Sequence, residues 1–313
     1  MLQTIKDRMT LVLTSFRRHF MRTENQNWPI DFARALGEFH STAGGRVEAI
    51  VFSKDRTMQL HAFLASYLDR IANPVHITIL YRASTDDHVH AYRELEELLE
   101  SPLIRFIPET NFRDDLMTHA SNTSYDKILL FVDDIIFKEA FDFEALTQID
   151  TGKHILSLTR GRDLTYSSVL QKPIHLPTLT PAFGQYLCFS WRGEEFSDWT
   201  FPLGVSGYMF GRCEWLAMLQ TLDFRAPNSL EAALQKFVPI YEMRQGLCTE
   251  RAICVCVHAN MVQSELPNPT LGNFSIDALL NTWRQGLMID RVKFYNKDLT
   301  IAEKQDYGFV PRA

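Results

Sequence analysis

Between residues 47 and 158 short apolar runs alternate with longer stretches of helical period, and few folds accept that alternation. Val47 to Phe52 is a compact, β-branched run that predicts a first strand. From Thr57 to Ala72, the residues Leu60, Phe63, Leu64, Tyr67, Leu68 and Ile71 recur at helical spacing, and Asn73-Pro74 stops the helix. Val75 to Tyr81, Leu103 to Ile107, Lys127 to Val132 and His154 to Leu158 predict four more strands. Val89, Tyr92, Leu95, Leu98 and Leu99 mark a second amphipathic helix, and Phe112 to Ala120 and Phe143 to Ile149 two further helices. Strands joined by helical crossovers lie parallel, with helices on both faces. The expected class is α/β, with a mostly parallel central sheet. Ligands of such sheets bind beyond the carboxyl ends of the strands, at a topological switch point. The positions to inspect therefore follow Phe52, Tyr81, Ile107 and Val132.

Beyond residue 160 the pattern is less regular. Tyr186 to Trp191, Val205 to Phe210 and Ala252 to Val257 predict strands, and Leu230 to Phe237 a helix. The first 22 residues differ from the rest. They carry Lys6, Arg8, Arg17, Arg18 and Arg22 against the single acid Asp7, with Phe16 and Phe20 on a loosely apolar helical face. A helix of that kind either lies on an anionic membrane surface or docks on its own domain. Residues 25–28 and Pro29 have the character of a linker.

Composition removes several classes. At 46% hydrophobic and 22% charged the chain is too apolar for a disordered protein. No apolar run approaches the roughly 18 to 20 residues that span a bilayer. A formal net charge of −6 argues against nucleic acid as a partner. Five cysteines, an odd number, and no secretory leader point to a reduced, cytoplasmic protein. Cys254-Val255-Cys256 lacks metal or redox spacing, so both thiols are expected in a buried strand.

The turn after the first strand is Ser53-Lys54-Asp55-Arg56. It contains neither a dinucleotide-binding G-x-G-x-x-G nor a P-loop, so a nucleotide ligand would be held by side chains. The fourth strand runs into Asp133-Asp134, followed by Ile135, Ile136 and Phe137. Two carboxylates in so apolar a setting are costly unless a cation or hydrogen-bond donors compensate. Oxygen ligands there suit Mg²⁺ or Mn²⁺. The alternative is that Asp134 caps the next turn while Asp133 faces solvent.

On these residues, the chain over roughly 46–260 resembles nucleotide-sugar glycosyltransferases of the GT-A fold, close to the inverting group called family 2. Ile50 to Arg56 resembles the nucleotide-binding strand and turn, and Val132-Asp133-Asp134 the D-x-D metal motif, with Val132 in place of its first Asp. Tyr81-Arg82-Ala83-Ser84 stands where many relatives carry acids that contact the base. The resemblance implies a GT-A-like, Rossmann-type domain over 29–313, behind the helix and linker of 1–28. Residues 45–160 would form the donor and metal half, and 161–313 the acceptor half with a C-terminal extension.

The same resemblance implies a metal-dependent transfer of a sugar to a glycan or lipid-linked acceptor, in cell-surface polysaccharide synthesis. Ser53, Lys54, Asp55, Arg56, Arg82, Ser84 and Asp133 would bind the donor, and Asp134 a Mn²⁺ or Mg²⁺ ion, with His258 a further metal ligand, a phosphate contact or a satisfied strand-end histidine. Glu231 would be the catalytic base, with Asp198 and Glu242 as weaker rivals. Asn228 and Glu231 also have capping-box spacing, which needs no chemistry. Arg160 and Arg162 are further candidates for phosphate. Trp191, Trp199 and Phe201 form either an acceptor platform or plain core. The rival classes are a nucleotidyltransferase, which usually has a glycine-rich basic loop after its first strand, and a non-catalytic sugar- or nucleotide-binding module.

Overall fold

The computed structural model describes residues 29, 32, 33, 35, 36, 45–167, 170–260, 262, 274–298 and 308–312. The basic segment 1–22 and the linker at 25–28 lie outside the described residues. The first half comprises β1 (Val47–Lys54), α1 (Thr57–Arg70), β2 (His76–Arg82), α2 (Asp86–Leu99), β3 (Ile104–Pro108), α3 (Phe112–Asn122), β4 (Lys127–Val132), β5 (Ile135–Phe137) and β6 (His154–Ser157). The second comprises β7 (Thr180–Pro181), β8 (Leu187–Ser190), β9 (Tyr208–Gly211), α4 (Arg212–Thr221), α5 (Pro227–Leu234), β10 (Gln245–Cys248), β11 (Cys254–Cys256) and α6 (Ile276–Arg284).

Nine strands form one sheet in the order β7-β8-β10-β6-β9-β4-β1-β2-β3. β3, β2, β1 and β4 are parallel neighbours. β9 enters antiparallel between β4 and β6. β10 lies parallel to β6, and β8 runs against β10. The sheet is mostly parallel, as the alternation of elements predicts. Because β2 and β3 stack on one side of β1 and β4 on the other, the switch point falls between β1 and β4.

The central strands are apolar on both faces because both faces are covered. Ala49 and Val51 of β1, with Leu129 and Phe131 of β4, pack against Phe63 and Tyr67 of α1 and Tyr92 of α2. Ile50 and Phe52, with Ile128 and Leu130, pack on the other side with Phe112 and Leu116 of α3 and Trp215 of α4. This alternation is the period-2 rule applied to a strand with no solvent face.

Some expectations need correction. Phe143–Gln148 is a 3-10 helix rather than an α-helix. The strand expected from Val205 begins at Tyr208, because Gly207 takes φ +78 just before it. α4 went unpredicted because Trp215 to Leu219 are buried on every side, which erases a helical period. β10, Gln-Gly-Leu-Cys, is too short to register. Among the described residues no helix is long and apolar enough to cross a membrane.

Candidate active site

The carboxyl ends of β1 and β4 meet at the switch point in a buried polar cluster. The Ser53 hydroxyl donates to Asp133 Oδ2 at 2.9 Å, and the Lys54 backbone N–H to the same oxygen at 3.3 Å. One Arg56 guanidinium nitrogen donates to Asp133 Oδ1 and Asp134 Oδ2, at 3.0 Å each. Arg56 Nε donates to Asn260 Oδ1 at 3.0 Å, and its remaining nitrogen to the Asn260 carbonyl. Tyr92 from α2 closes the cluster, its hydroxyl 2.6 Å from Ser53 Oγ and accepting from the Arg56 N–H at 3.2 Å. Burial holds the Asp133 carboxyl above the ordinary carboxylate range. Arg56 pulls it down, and the neighbouring Asp134 charge adds to the rise. Both oxygens of Asp133 are engaged within the protein.

Asp134 differs from Asp133. Its Oδ2 accepts from Arg56, while its buried Oδ1 has no hydrogen-bond partner. β11 pairs antiparallel with β5, setting Cys256 opposite Ile135. The Val257 N–H donates to the Asp134 carbonyl at 2.6 Å, extending that pairing by a residue. The pairing brings a carboxylate oxygen of Asp134, the Cys256 sulfur and a His258 ring nitrogen within 4.8 Å of one another. Sequence reading had assigned Cys256 to the core. The available signal was the strand end: Cys254 is buried, whereas Cys256 closes β11 half-buried, two residues before His258.

Glu231 reaches the same end of the sheet through β9. Because β9 runs against β4, the residues that precede it lie beyond the carboxyl end of β4, and the Gly207 N–H donates to the Leu130 carbonyl at 2.7 Å. Val205, in that approach, donates its N–H to Glu231 Oε1 at 3.2 Å. A Cβ on Gly204 would lie 2.6 Å from the Tyr208 ring and 3.1 Å from Glu231 Oε1, so the carboxylate sits in a seat that requires glycine. Burial raises the Glu231 pKa, while the Val205 N–H, Arg160 and His258 oppose the rise. The capping-box reading is corrected here. Ser229, not Glu231, serves the start of α5, accepting from the Ala226 N–H at 2.9 Å.

The other expected residues have varied surroundings. Asp55, at φ +54, accepts the Ser84 N–H and hydroxyl on separate oxygens, each at 2.7 Å, joining the β1 and β2 turns. Lys54 and Ser84 are exposed beside it. Arg82 is largely exposed and pairs with Glu109 at 3.3 Å. Arg160 is buried, bonded to the Ser157 hydroxyl and the Asp198 and Phe201 carbonyls, and stacked on Trp191 and Tyr208. It holds the scaffold and presents no free edge to a phosphate. Arg162 pairs with Glu250 at the surface. Trp191 and Trp199 are core residues rather than a platform. Glu242 lies with Arg192 at a groove along β8 and β10, away from the carboxylates. Sequence reading missed Tyr92, Gln59 and Asn260, whose side chains complete the cluster but match no motif.

No protein-family model matches the chain. It is 21% identical over 220 residues to the bifunctional glycosyltransferase pgtA of Dictyostelium discoideum, covering 64% of this chain. The chain spans about a quarter, 26%, of that relative's length. Similar solved structures include a mannosyltransferase of Pyrobaculum calidifontis in complex with GDP-Man and Mn²⁺, at 16% identity and TM-score 0.31, covering 52% of this chain and 48% of that one. A nucleotidyl transferase from Methanothermobacter thermautotroptrophicus is similar at 16% identity and TM-score 0.36, with coverage of 67% and 89%. The glycosyltransferase GlyE of Streptococcus pneumoniae is similar at 14% identity and TM-score 0.34, with coverage of 62% and 44%.

Proposed function

We propose that the chain is a nucleotide-sugar glycosyltransferase that passes a sugar from a nucleoside diphosphate donor to a glycan or lipid-linked acceptor hydroxyl. The observation that carries this reading is the gathering of Glu231, Asp134 and His258 at the carboxyl end of the sheet, next to the switch point. The unpartnered Asp134 Oδ1 and the nearby imidazole fit a cation. Asp134 and His258 would hold a divalent metal, whose charge offsets that of the departing diphosphate. Lys54 and Arg82 are the exposed cations at the donor end, suited to charge-assisted bonds with phosphate oxygens. Ser53, Asp55, Arg56, Ser84 and Asp133 fix the turns that present them.

Glu231 takes the proton of the attacking hydroxyl. Its raised pKa moves it toward the range useful to a general base, and Val205 and Gly204 fix its position. A single displacement with one base inverts the anomeric centre, which the product's anomeric coupling in NMR checks.

Turnover of a panel of nucleoside diphosphate sugars, with and without divalent metal, tests the reading. Asp134→Asn is expected to cut kcat by about 10² or more. Glu231→Gln keeps an acceptor for the Val205 N–H but cannot take a proton, so it should cost about 10²–10⁴ in rate with little change in Tm. Full activity of both variants, or no turnover of any donor, sinks the proposal. Peripheral membrane contact through residues 1–22 belongs to the same reading. The full chain should sediment with anionic liposomes at low salt and detach at high salt, and a chain starting near Asn27 should not sediment.

A further inference from the structure

We infer that Cys256 is a third ligand of the metal site, as a thiolate, and that the site therefore favours Zn²⁺ over Mg²⁺ or Mn²⁺. The inference rests on the metal reading above and adds a ligand and a metal class to it. Three donors of different chemistry come together here: an Asp134 carboxylate oxygen, the Cys256 sulfur and a His258 nitrogen, mutually within 4.8 Å. Asp134 is 7% exposed, and its Oδ1 has no hydrogen-bond partner. Unpartnered buried carboxylate oxygens are costly, and a cation removes the cost. The backbone fixes the set. Cys256 faces Ile135 across the β5–β11 pairing, and the Val257 N–H to Asp134 carbonyl bond ties the two ligand-bearing segments one residue further on.

A sulfur, nitrogen and oxygen set is softer than the all-oxygen shell that Mg²⁺ requires, and suits Zn²⁺ or its surrogate Co²⁺. Three protein ligands also leave one position of a tetrahedral ion open, as in catalytic rather than structural zinc sites. That position is available to a phosphate oxygen of the donor. On binding, the sulfur–metal bond forms as the S–H bond breaks, and the proton passes to solvent.

Co²⁺ titrated into the metal-free full-length protein tests this without any donor. The expected result is a near-ultraviolet thiolate-to-cobalt band that Zn²⁺ displaces. Cys256→Ser should lose the band and weaken Zn²⁺ binding by about tenfold or more. Cys188→Ser, changed on β8 next to the edge strand of the sheet, should keep both. Zn²⁺ should also protect Cys256 of the unmodified protein from iodoacetamide, read by peptide mass, so the test survives a variant that folds poorly. Co²⁺ binding without the band, or with Cys256 still alkylated, overturns the thiolate ligand while leaving a metal site on Asp134 and His258. Failure of Co²⁺, Zn²⁺ and Mn²⁺ all to bind overturns both readings.

Discussion

At Arg56 a single guanidinium nitrogen bridges Asp133 and Asp134, and the rest of the side chain is bonded to Asn260. Adjacent buried carboxylates need such a cation, since each raises the cost of ionising the other. Arg56→Met should therefore lower stability by about 3–5 kcal/mol, the scale of an uncompensated buried charge. Arg56→Lys should recover part of this, because an ammonium lacks the planar fork that reaches Asn260 and the carboxylates together. Urea midpoints of the three proteins measure it, and a stable Met variant would show that the carboxylates are compensated by other means. The sequence places Arg56 at the correct turn. That its charge points inward to the Asp pair depends on β1 and β4 being neighbours.

Among the elements, α1 and α6 meet through His61, whose ring lies 5.4 Å from that of Trp283. Burial, then the Arg291 and Arg312 charges, lower the His61 pKa from 6.5 to about 4. The folded chain thus binds this proton less readily than the unfolded chain. The linked stability is complete above the unfolded value and is lost as pH falls from about 6.5 toward 4. At pH 5 the loss relative to pH 7 is about 2 kcal/mol. Comparing urea midpoints at the two pH values should show that His61→Gln removes that part of the acid sensitivity. An unchanged pH dependence would rule His61 out. α5 carries a different lesson. Its local spacing offered Glu231 to a capping box, but Ser229 fills that role and the Glu231 carboxylate turns to Val205.

Across the whole molecule, Lys138 joins segments far apart in the chain. It is 0% exposed, lies 2.6 Å from Asp163, and donates to the Lys297 carbonyl at 3.1 Å. Its own carbonyl accepts from the Asn296 N–H at 2.8 Å, and Asp163 Oδ1 accepts from the Ala252 N–H at 2.9 Å. The pair thus ties the end of β5, the loop after β6, the approach to β11 and the C-terminal segment. Lys138→Met leaves Asp163 buried without its cation and should cost about 3–5 kcal/mol. Adding Asp163→Asn should recover some of that, because the amide oxygen still serves Ala252. Equal melting temperatures for wild type and Lys138→Met would contradict this account. Since β11 carries Cys256, the same lock steadies the candidate metal ligands.

The sequence alone determined the α/β alternation and the double-faced strands, because both follow from periodicity within segments of 5 to 15 residues. It also located Ser53 to Arg56 and Asp133-Asp134, because ligands of parallel sheets gather at strand ends. Tertiary structure decided what those residues touch. Antiparallel insertion of β9 brought Val205, and hence Glu231, to the carboxyl end of β4. Pairing of β5 with β11, more than a hundred residues apart, set Cys256 and His258 beside Asp134. Adjacency of β1 and β4 left both oxygens of Asp133 satisfied and one oxygen of Asp134 open. Local periodicity carries no information on which distant strands pair, and strand pairing is what brings the proposed ligands and the proposed base together.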